Sequence, residues 1–451
     1  MSILGERVRY GIELFAWLVA VLWLVRTRTL MRRIGEVPDI SEVQWDLCPT
    51  PAPGLIVVVP AKDEAGADQI QTVRTAIETL LAQDYEWLRV VAVDDRSTDG
   101  TGALFDEMAE AHAGRLDVVH LMETPEGWLG KTFAMEVATQ RSRSDYVLLT
   151  EADVWVSPSM VRRALAYAEL TQADHVVVMP TRETKTWGER TILGFLHMVM
   201  LWAVRPWRVA DAEARWDVAA SGVFSLLRRE ALEELGGFAP QRLAVADAVT
   251  LGRRVRAAGM RQRVVFAPGM VLPGGRPDPE KKEWRAFKVI RSMSREMFAL
   301  ADFRLWLAVP VAAAVMVLFF VPLAALGWWS SMLAGLTGLC AIAVCYRVMS
   351  PFSGIPARYG WLYPLGAAAM GWAMVRSVAL TWWRRGLKWR ETVYPVRELR
   401  GHNSPFVWEF EAARMRSERR KVERVARPSW GLRMWTAAKG KVGRRKAGPV
   451  G

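Results

Sequence analysis

The chain has little cysteine and histidine, with three and five in 451 residues. Cys48 stands alone, and Cys340 and Cys345 lie within one apolar run. The sequence therefore supports neither a disulfide framework nor the ligand spacing of a zinc site. The histidines are scattered, and none pairs at ligand spacing. These absences favour a chain kept in a reducing compartment.

Positive charge is concentrated at one end of the chain. The net charge is +13, and the stretch from Arg384 to Gly451 holds 19 Lys/Arg against 6 Asp/Glu, so the residues before it are neutral overall. A basic stretch beside apolar segments is typical of a cytoplasmic flank attracted to anionic lipids. Nucleic-acid binding is the competing interpretation, but no recognised nucleic-acid module accompanies the charge.

Apolar segments at both ends predict membrane association, as do 22 tryptophans. Residues Tyr10 to Val25 form an apolar run that four arginines follow, and no cleavage site is present, so we expect a retained anchor with residue 34 onward in the cytoplasm. Three more apolar segments run from Leu305 to Leu326, Met332 to Tyr346 and Tyr359 to Trp383, the middle one marginal in length. Because three crossings would place the basic tail outside, we expect one of them to be re-entrant or interfacial.

Between these ends, strand and helix patterns alternate. Leu55–Val59, Val90–Val93 and Tyr146–Leu149 are short β-branched or apolar runs typical of buried parallel strands. Ile70–Leu81 and Gly102–Ala113 lie between them and carry apolar residues at helical spacing. This order predicts an α/β domain with a mostly parallel sheet.

Carboxylates follow each predicted strand. They come in the segments Pro60-Ala61-Lys62-Asp63-Glu64, Asp94-Asp95 and Glu151-Ala152-Asp153. The carboxyl ends of parallel strands meet at one sheet edge, where such sheets bind ligands. Carboxylates crowded there repel one another unless a cation or hydrogen-bond donors join them. A hard divalent cation carrying phosphate oxygens is the natural partner.

The strings VVVPAKDEA, VVAVDDRSTDGT and LLTEADVW, in this order, resemble the family-two glycosyltransferases of the GT-A fold. The pieces GWLGKTFAM and GLKWRETVYPVREL are similar to a membrane subgroup that includes hopene-associated glycosyltransferases and relatives of ceramide glucosyltransferase. The resemblance covers roughly Leu55 to Leu399. It implies a GT-A nucleotide-diphospho-sugar transferase domain with N-terminal and C-terminal transmembrane helices.

The resemblance also implies roles for single residues. Glu64 and Asp95, with Asp94 beside them, are expected to contact the base and ribose of the nucleotide, and carboxylates suit the hydrogen-bond donors there. For Asp99 and Ser97 we favour capping of the next helix over ligand contact. Lys131, after a Gly-Trp-Leu-Gly turn, is expected at the diphosphate. The remaining expected donor contacts are Pro60, Lys62, Glu151 and Trp389.

Two further roles are chemical. The family motif Asp-x-Asp reads Glu151-Ala152-Asp153 here, which implies Asp153 as the ligand of Mg²⁺ or Mn²⁺ and makes Glu151 a departure. In RLAVADAVTLGRRVRAAG, Asp247 matches the family's catalytic base, with Ala246 in place of a neighbouring acid. An aspartate favoured by the dipole of a helix start is the alternative. Ser221 to Phe224 resembles an acceptor-side loop, with a plain strand end equally compatible.

The expected organisation is a membrane anchor (1–33), a linker (34–53), a GT-A catalytic domain (54–278), an amphipathic interfacial helix (279–304), a transmembrane region (305–383) and a basic cytoplasmic tail (384–451). Glu283-Trp284-Arg285 gives only a weak counterpart of a family motif. The expected function is an inverting transfer of a sugar from a nucleotide-diphosphate donor, UDP in the first instance, to a membrane lipid. The alternatives are a processive polysaccharide synthase and a non-catalytic nucleotide-binding scaffold.

Overall fold

The computed structural model describes residues 3–66, 69–181, 184, 186–274, 285–389 and 392–403. The α-helices are α1 Ile3–Arg33, α2 Ile70–Leu81, α3 Thr101–Ala111, α4 Gly130–Gln140, α5 Met160–Thr171, α6 Trp187–Ala203, α7 Arg229–Glu234, α8 Asp247–Ala257, α9 Arg285–Leu300, α10 Leu305–Ala324, α11 Met332–Ser353, α12 Tyr363–Trp383 and α13 Val396–Leu399. The strands are β1 Leu55–Ala61, β2 Leu88–Asp94, β3 Leu116–His120, β4 Tyr146–Leu149, β5 Val154–Val156, β6 His175–Met179, β7 Ser225–Arg228, β8 Gln262–Phe266, β9 Val271–Pro273, β10 Gly386–Trp389 and β11 Thr392–Pro395.

Seven strands form the central sheet, in the order β3-β2-β1-β4-β7-β6-β8. The strands β3, β2, β1 and β4 run parallel, β7 runs antiparallel to both of its neighbours, and β6 and β8 are again parallel. Along β1, Val57 and Val59 pack into the core on one face while Ile56 and Val58 pack on the other. Burial on both faces explains the unbroken apolar run, and the predicted α/β class is confirmed.

The predicted helices and strands of the first half are present. Helix α2 has the predicted bounds, whereas α3 ends at Ala111, two residues before the predicted end. The third strand in chain order is β3, which the sequence pattern did not reveal, because exposed Asp117 and His120 interrupt its apolar residues at the edge of the sheet. The predicted third strand is therefore β4, on the other side of β1.

The segment expected to be a linker packs on the catalytic domain. The Ile40 N–H donates to the Phe266 carbonyl at 2.9 Å, and Ile40 is fully buried in the core. The Arg163 guanidinium donates to the backbone carbonyls of Ile40, Ser41 and Glu42 at 2.8 to 3.1 Å. These contacts hold the first helix at a defined place relative to the sheet.

Three helices are long and apolar enough to cross a membrane among the residues that the structure describes: Arg9–Glu36, Leu305–Gly327 and Met332–Ser353. They contact one another, with α11 against both α1 and α10. The expectation that the middle C-terminal segment is marginal in length was wrong, because α11 continues to Ser353. Among the three C-terminal apolar segments, the last one forms α12, which does not meet the length and hydropathy requirement for a membrane span.

Helix α12 joins the helical bundle to the catalytic domain by packing against α6 and α9. Phe195 of α6 and Ala367 of α12 are fully buried in one apolar cluster, which also holds Val177 of β6. Trp23 of α1 is buried in the same cluster, and its indole N–H donates to the Leu318 carbonyl at 2.7 Å. The apolar helices therefore rest directly on the sheet.

The chain after α12 folds back onto the catalytic domain. Strands β10 and β11 form an antiparallel hairpin, and α13 follows it. Leu387 and Leu399 are buried together with Leu129, Leu243 and Val245 of the catalytic domain. The stretch assigned to a basic tail thus begins with folded structure. Its later part, including the run from Ser417 that we expected to be poorly ordered, lies outside the described residues.

Two glycines of α12 provide a test of the packing between α12 and α6. A Cβ at Gly366 would lie 2.5 Å from the Phe195 Cβ and 2.9 Å from the Thr191 carbonyl oxygen, whereas one at Gly371 meets nothing within 4 Å. We expect Gly366→Ala to lower the free energy of unfolding by about 1–3 kcal/mol through overpacking. Gly371→Ala should leave it unchanged or raise it by up to about 1 kcal/mol. Thermal unfolding of both variants in detergent measures this, and equal melting temperatures would refute the close contact.

Candidate active site

The loops after β1 and β2 are tied together at the carboxyl edge of the sheet. The Asp63 N–H donates to the Ser97 hydroxyl at 3.0 Å, and the Thr98 N–H donates to the Asp63 carboxylate at 2.8 Å. Asp99 accepts from the Thr101 N–H at 3.1 Å at the start of α3, as the capping interpretation expected. Ser97 instead links the two loops, so its capping role was wrong.

Asp94 serves the framework of this edge. Its carboxylate accepts from the Ser97 N–H at 2.9 Å and lies 3.1 Å from the imidazole Nδ1 of His120. Burial alone would raise the pKa of Asp94, but the hydrogen bonds from Ser97 and His120 lower it below its usual value. His120 also contacts Asp106 at 2.9 Å, and the two carboxylates raise the pKa of its imidazole. Asp94 is thus engaged by the framework of the fold.

Asp95 lies against the start of α4. Its side chain is buried, and it accepts from the Arg96 guanidinium at 2.9 Å. A Cβ on Gly130, the first residue of α4, would lie 2.0 Å from the Asp95 carboxylate. Only glycine permits this approach, which places Asp95 beside the positive end of the helix dipole. The Gly-Trp-Leu-Gly turn therefore lets Asp95 pack close to the start of α4, where Lys131 is the second residue.

Lys131 links two of the predicted site residues. Its ammonium lies 3.1 Å from the Glu151 carboxylate and 3.2 Å from the Asp247 carboxylate. Burial by itself would lower the pKa of Lys131, but the charges of Asp247 and Glu151 raise it above its usual value. The ammonium thus stays charged, and it brings together side chains from α4, from the end of β4 and from the start of α8.

Glu151 and Asp153 lie in the turn after β4. Both are partly exposed, whereas Ala152 between them is buried. A Cβ at Gly222 would lie 3.0 Å from the Glu151 carboxylate, so the Ser221-Gly222 loop approaches this acid closely. Within the described residues, no group of three His, Cys, Asp or Glu side chains could hold a metal. Magnesium commonly takes one or two carboxylates and completes its shell with substrate phosphates, and this pair fits that requirement.

Asp247 begins α8, and a C-terminal residue holds the backbone before it. The N–H groups of Val245 and Ala246 donate to the Asn403 side-chain oxygen at 3.0 and 3.2 Å. Asn403 is itself buried, and its carbonyl accepts from Arg253 of α8 at 2.9 Å. Sequence reasoning missed Asn403, because no pattern indicates that a residue so distant in the chain caps this helix.

A second missed residue is Glu296 of α9. Glu296 is an exposed residue, and its charge interacts with those of Asp247, Lys131 and Glu151. Partial desolvation and then the charge of Asp247 raise the pKa of Glu296 to about 7. The only sequence signal was an acid within a basic amphipathic helix, which we interpreted as an interfacial segment.

The C-terminal hairpin covers the Gly-Trp-Leu-Gly turn. The Tyr394 hydroxyl donates to the Trp128 carbonyl at 3.1 Å, and Trp389 packs against the cluster that contains Leu129. Arg390 and Glu391 lie outside the described residues, as does Glu283-Trp284. Pro60 lies within the paired part of β1, opposite Val93, and Lys62 follows the last paired residue, Ala61.

Glu64 completes the loop after β1. Its N–H donates to the Thr101 hydroxyl at 3.1 Å, which fixes its backbone at the start of α3. The structure therefore gathers Lys131, Glu151 and Asp247 into direct contact and places the loops of Lys62, Glu64 and Asp95 along the same edge. Contact with a nucleotide remains a prediction for each of these residues.

The mostly parallel sheet, with acids and a glycine-rich turn along its carboxyl edge, agrees with the GT-A fold. Residues 56–236 match the model of glycosyl transferase family 2. The chain therefore carries a family 2 glycosyltransferase domain and is a glycosyltransferase that uses a nucleotide-sugar donor. The match ends before Asp247, so it does not test the assignment of the base.

Solved structures with similarity to the chain include a mannosyltransferase, PcManGT from Pyrobaculum calidifontis in complex with GDP-Man and Mn²⁺. It is 19% identical, with 82% of this chain and 99% of that chain covered and a TM-score of 0.44. Residues 1–349 of S. aureus TarS in complex with UDP-GlcNAc are 14% identical, with 76% and 98% covered and a TM-score of 0.36. Because these identities and TM-scores are low, the assignment to glycosyl transferase family 2 rests on the family match and the sheet topology.

The buried amide of Asn403 generates a prediction about stability. Asn403→Ala leaves the N–H groups of Val245 and Ala246 without an acceptor, which costs about 1–3 kcal/mol for each buried group. Asn403→Asp keeps an oxygen for both and should lose less. Denaturant unfolding of the two variants measures the difference. If Asn403→Ala unfolded like the unmodified protein, Asn403 would not hold the start of α8.

Proposed function

We propose that this protein is an inverting glycosyltransferase that moves a sugar from a nucleotide-diphosphate donor, a UDP-sugar in the first instance, to a lipid in the membrane. The observation that carries the proposal is the pairing of Lys131 with Asp247 and Glu151 at the carboxyl edge of a family 2 domain. This pairing sets a cation for a diphosphate directly beside a carboxylate that can accept a proton.

The donor is proposed to lie along the sheet edge from Glu64 and Asp95 to Lys131. The Asp95 carboxylate at the start of α4 suits hydrogen bonds from ribose hydroxyls or from the base. The Lys131 ammonium suits the diphosphate as a charged donor of hydrogen bonds. Trp389, in the hairpin over the glycine-rich turn, provides an apolar surface beside the same place.

Asp247 is the proposed base on the acceptor side. Its carboxylate would take the proton of the acceptor hydroxyl as that oxygen bonds to the anomeric carbon of the sugar. The bond from this carbon to the donor phosphate breaks, and the electron pair leaves with the nucleoside diphosphate. Attack on the face opposite the leaving group inverts the anomeric centre. When Lys131 turns to the diphosphate, Asp247 loses its ion pair and becomes available.

Asp153, with Glu151 beside it, is the proposed ligand for a divalent cation. Mg²⁺ or Mn²⁺ bound there supplies positive charge that offsets the negative charge developing on the leaving diphosphate. Lys131 supplies charge to the same group from the other side. A cation bound there would also reduce the repulsion between these two acids.

A lipid acceptor is proposed from the exposed surface of the helices next to the site. The side chain of Phe287 on α9 is exposed, and so are those of Trp372, Trp382 and Trp383 on α12. Tryptophan favours the membrane–water interface, where its ring is buried and its N–H stays hydrated. Because α12 leads directly into the hairpin over the site, the cleft would open at the membrane surface. A tethered site gains effective concentration only for an acceptor in that membrane.

Three crossings agree with a cytoplasmic catalytic domain and a cytoplasmic basic tail. With the N-terminus outside, α1 enters the cytoplasm before the sheet begins, α10 leaves it and α11 returns. Helix α12 would then lie at the cytoplasmic surface. With four crossings, the basic tail would be outside, whereas three crossings leave it in the cytoplasm. The arginines in the last turn of α1 and those directly after α12 would face anionic headgroups.

Two other functions are alternatives to this proposal. A processive polysaccharide synthase is disfavoured by the small number of candidate spans among the described residues and by the weak Arg-Trp motif. A nucleotide-binding scaffold without activity is kept open by Glu151 and Ala246, which depart from the family pattern, because fold does not imply function. Mass spectrometry of lipids from cells with and without the intact gene tests the proposal against both alternatives. The proposal expects a glycosylated lipid that is lost when the gene is disrupted.

Replacement of the proposed base should remove transfer. Asp247→Asn is expected to reduce the transfer rate by at least about 10²-fold, because an amide cannot accept the proton. Donor affinity should be kept or increased, because Lys131 loses one competing carboxylate. Transfer to membrane lipids with Mg²⁺ or Mn²⁺ and calorimetric donor binding measure both. Asp117→Asn, an exposed change on β3, is the control. If Asp247→Asn and the unmodified enzyme were equally inert or equally active, Asp247 would not be the base.

The topology is tested by cysteine labelling. Ser330 is exposed in the turn between α10 and α11, and Cys48 is exposed at the edge of the catalytic domain. A membrane-impermeant maleimide should label Ser330→Cys in intact cells, because this turn would lie outside. Cys48 should react only after the membrane is opened. Labelling of Cys48 in intact cells would place the catalytic domain on the other side.

A further inference from the structure

We propose that Arg190 and Arg358 form a binding site for the phosphate of an anionic phospholipid, beside the end of α11. Arg190 lies on α6 of the catalytic domain, and Arg358 lies in the short 3₁₀ helix Ala357–Leu362 that joins α11 to α12. The lipid would stay bound to the protein as a partner and is distinct from the acceptor of the sugar. The inference therefore does not depend on sugar transfer.

Both guanidinium groups approach the ring of Tyr359. The guanidinium carbon of Arg190 lies 5.6 Å from the ring centroid, and that of Arg358 lies 5.7 Å from it. Arg190 Nη1 also donates to the Tyr359 hydroxyl at 3.2 Å. The negative face of an aromatic ring attracts a cation. One ring, between α11 and α12, thus brings two positive charges from separate parts of the chain to the same place.

The protein does not balance this positive charge with an acid. Within the described residues, neither Arg190 nor Arg358 forms an ion pair. The pKa of the Tyr359 hydroxyl is lowered, first by the hydrogen bond from Arg190 and further by the positive charges of both arginines. Two like charges brought together repel each other. An anion that binds both groups would offset this repulsion.

The two arginines have donors for a phosphate. Arg190 is held in position, because its Nε and Nη2 donate to the Thr184 carbonyl at 3.2 and 2.8 Å. A guanidinium carries five N–H donors, so these contacts and the one to Tyr359 do not use all of them. Arg358 is exposed and can reach a ligand from the surface. Arginine suits phosphate because its planar group donates two parallel hydrogen bonds.

The end of α11 places these residues near the membrane surface. Helix α11 is one of the three helices able to cross a membrane, and it ends at Ser353. The Phe352 ring stacks on the Phe266 ring of β8, with the centroids 4.3 Å apart, so this end of α11 rests on the catalytic domain. Arg358 follows soon after in the chain. Where a spanning helix reaches a domain outside the membrane, lipid phosphates lie at the same depth.

Exposed tryptophans accompany both arginines. Trp187 lies one turn before Arg190 on α6 and is 64% exposed, and Trp361 lies one turn after Arg358 and is 79% exposed. Residues three apart in a helix are neighbours on its surface. The exposed apolar side chain of Leu365 continues from Trp361 onto α12. Tryptophan favours the membrane–water interface, so positive charge beside these rings favours an anionic lipid over a soluble anion.

The experiment measures lipid binding by the full-length protein in detergent, through the rise in melting temperature as lipid is added. Phosphatidylglycerol should give a saturable rise, and phosphatidylcholine, whose headgroup has no net charge, a much smaller one. Arg358→Gln should weaken binding of phosphatidylglycerol by about 5-fold, as expected for one arginine near an anionic surface. Arg190→Gln should weaken it at least as much. Arg89→Gln removes an exposed arginine of β2 and should bind like the unmodified protein.

Three outcomes would overturn the proposed site. Arg358→Gln could bind phosphatidylglycerol as tightly as the unmodified protein, with the melting temperature without lipid confirming that the variant is folded. Equal binding of phosphatidylglycerol and phosphatidylcholine would show an apolar surface that does not recognise charge. Inorganic phosphate that binds as tightly as the lipid would indicate a site for a soluble anion. No sugar is transferred in this assay, so failure of the proposed function would leave its result unchanged.

Discussion

The ammonium of Lys131 is the group on which the arrangement of the site depends. It lies between the carboxylates of Glu151 and Asp247, which come from the end of β4 and the start of α8. Without a cation between them, two acids from separate elements would repel each other across the cleft. The fold meets this requirement by starting α4 at Gly130, where a missing side chain lets Asp95 pack against the helix end. Lys131 then follows in a fixed place.

The same edge of the sheet is joined to the apolar helices at the C-terminal end of the described chain. Helices α9 and α12 pack on each other, and residues of α9 share a cluster with the loops before Lys131 and Asp247. The hairpin after α12 covers the glycine-rich turn, and Asn403 beyond it holds the start of α8. An apolar region at the far end of the chain thus shapes a site built mainly by the first half.

The parallel strands and the acids after them could be predicted from residue patterns, because both depend on residues close together in the chain. A buried parallel strand such as β1 must be apolar on both faces, and an acid after it must lie at the carboxyl edge. The edge strand β3 was not predicted, because exposed residues interrupt its apolar ones. Asp94 and Asp95 are adjacent in sequence, yet one binds His120 in the framework and the other faces α4. Their difference arises from the opposite directions of consecutive side chains along a strand.

The sequence by itself determined the α/β domain, its family and the acids and lysine of the sheet edge, since each depends on short-range order and strand geometry. Tertiary structure alone decided which of those groups touch. It brought Lys131 to Glu151 and Asp247, and it joined Asn403 to the backbone that precedes α8. It also separated α12 from the helices able to cross a membrane. Contacts between residues far apart in the chain depend on packing, which local pattern does not encode.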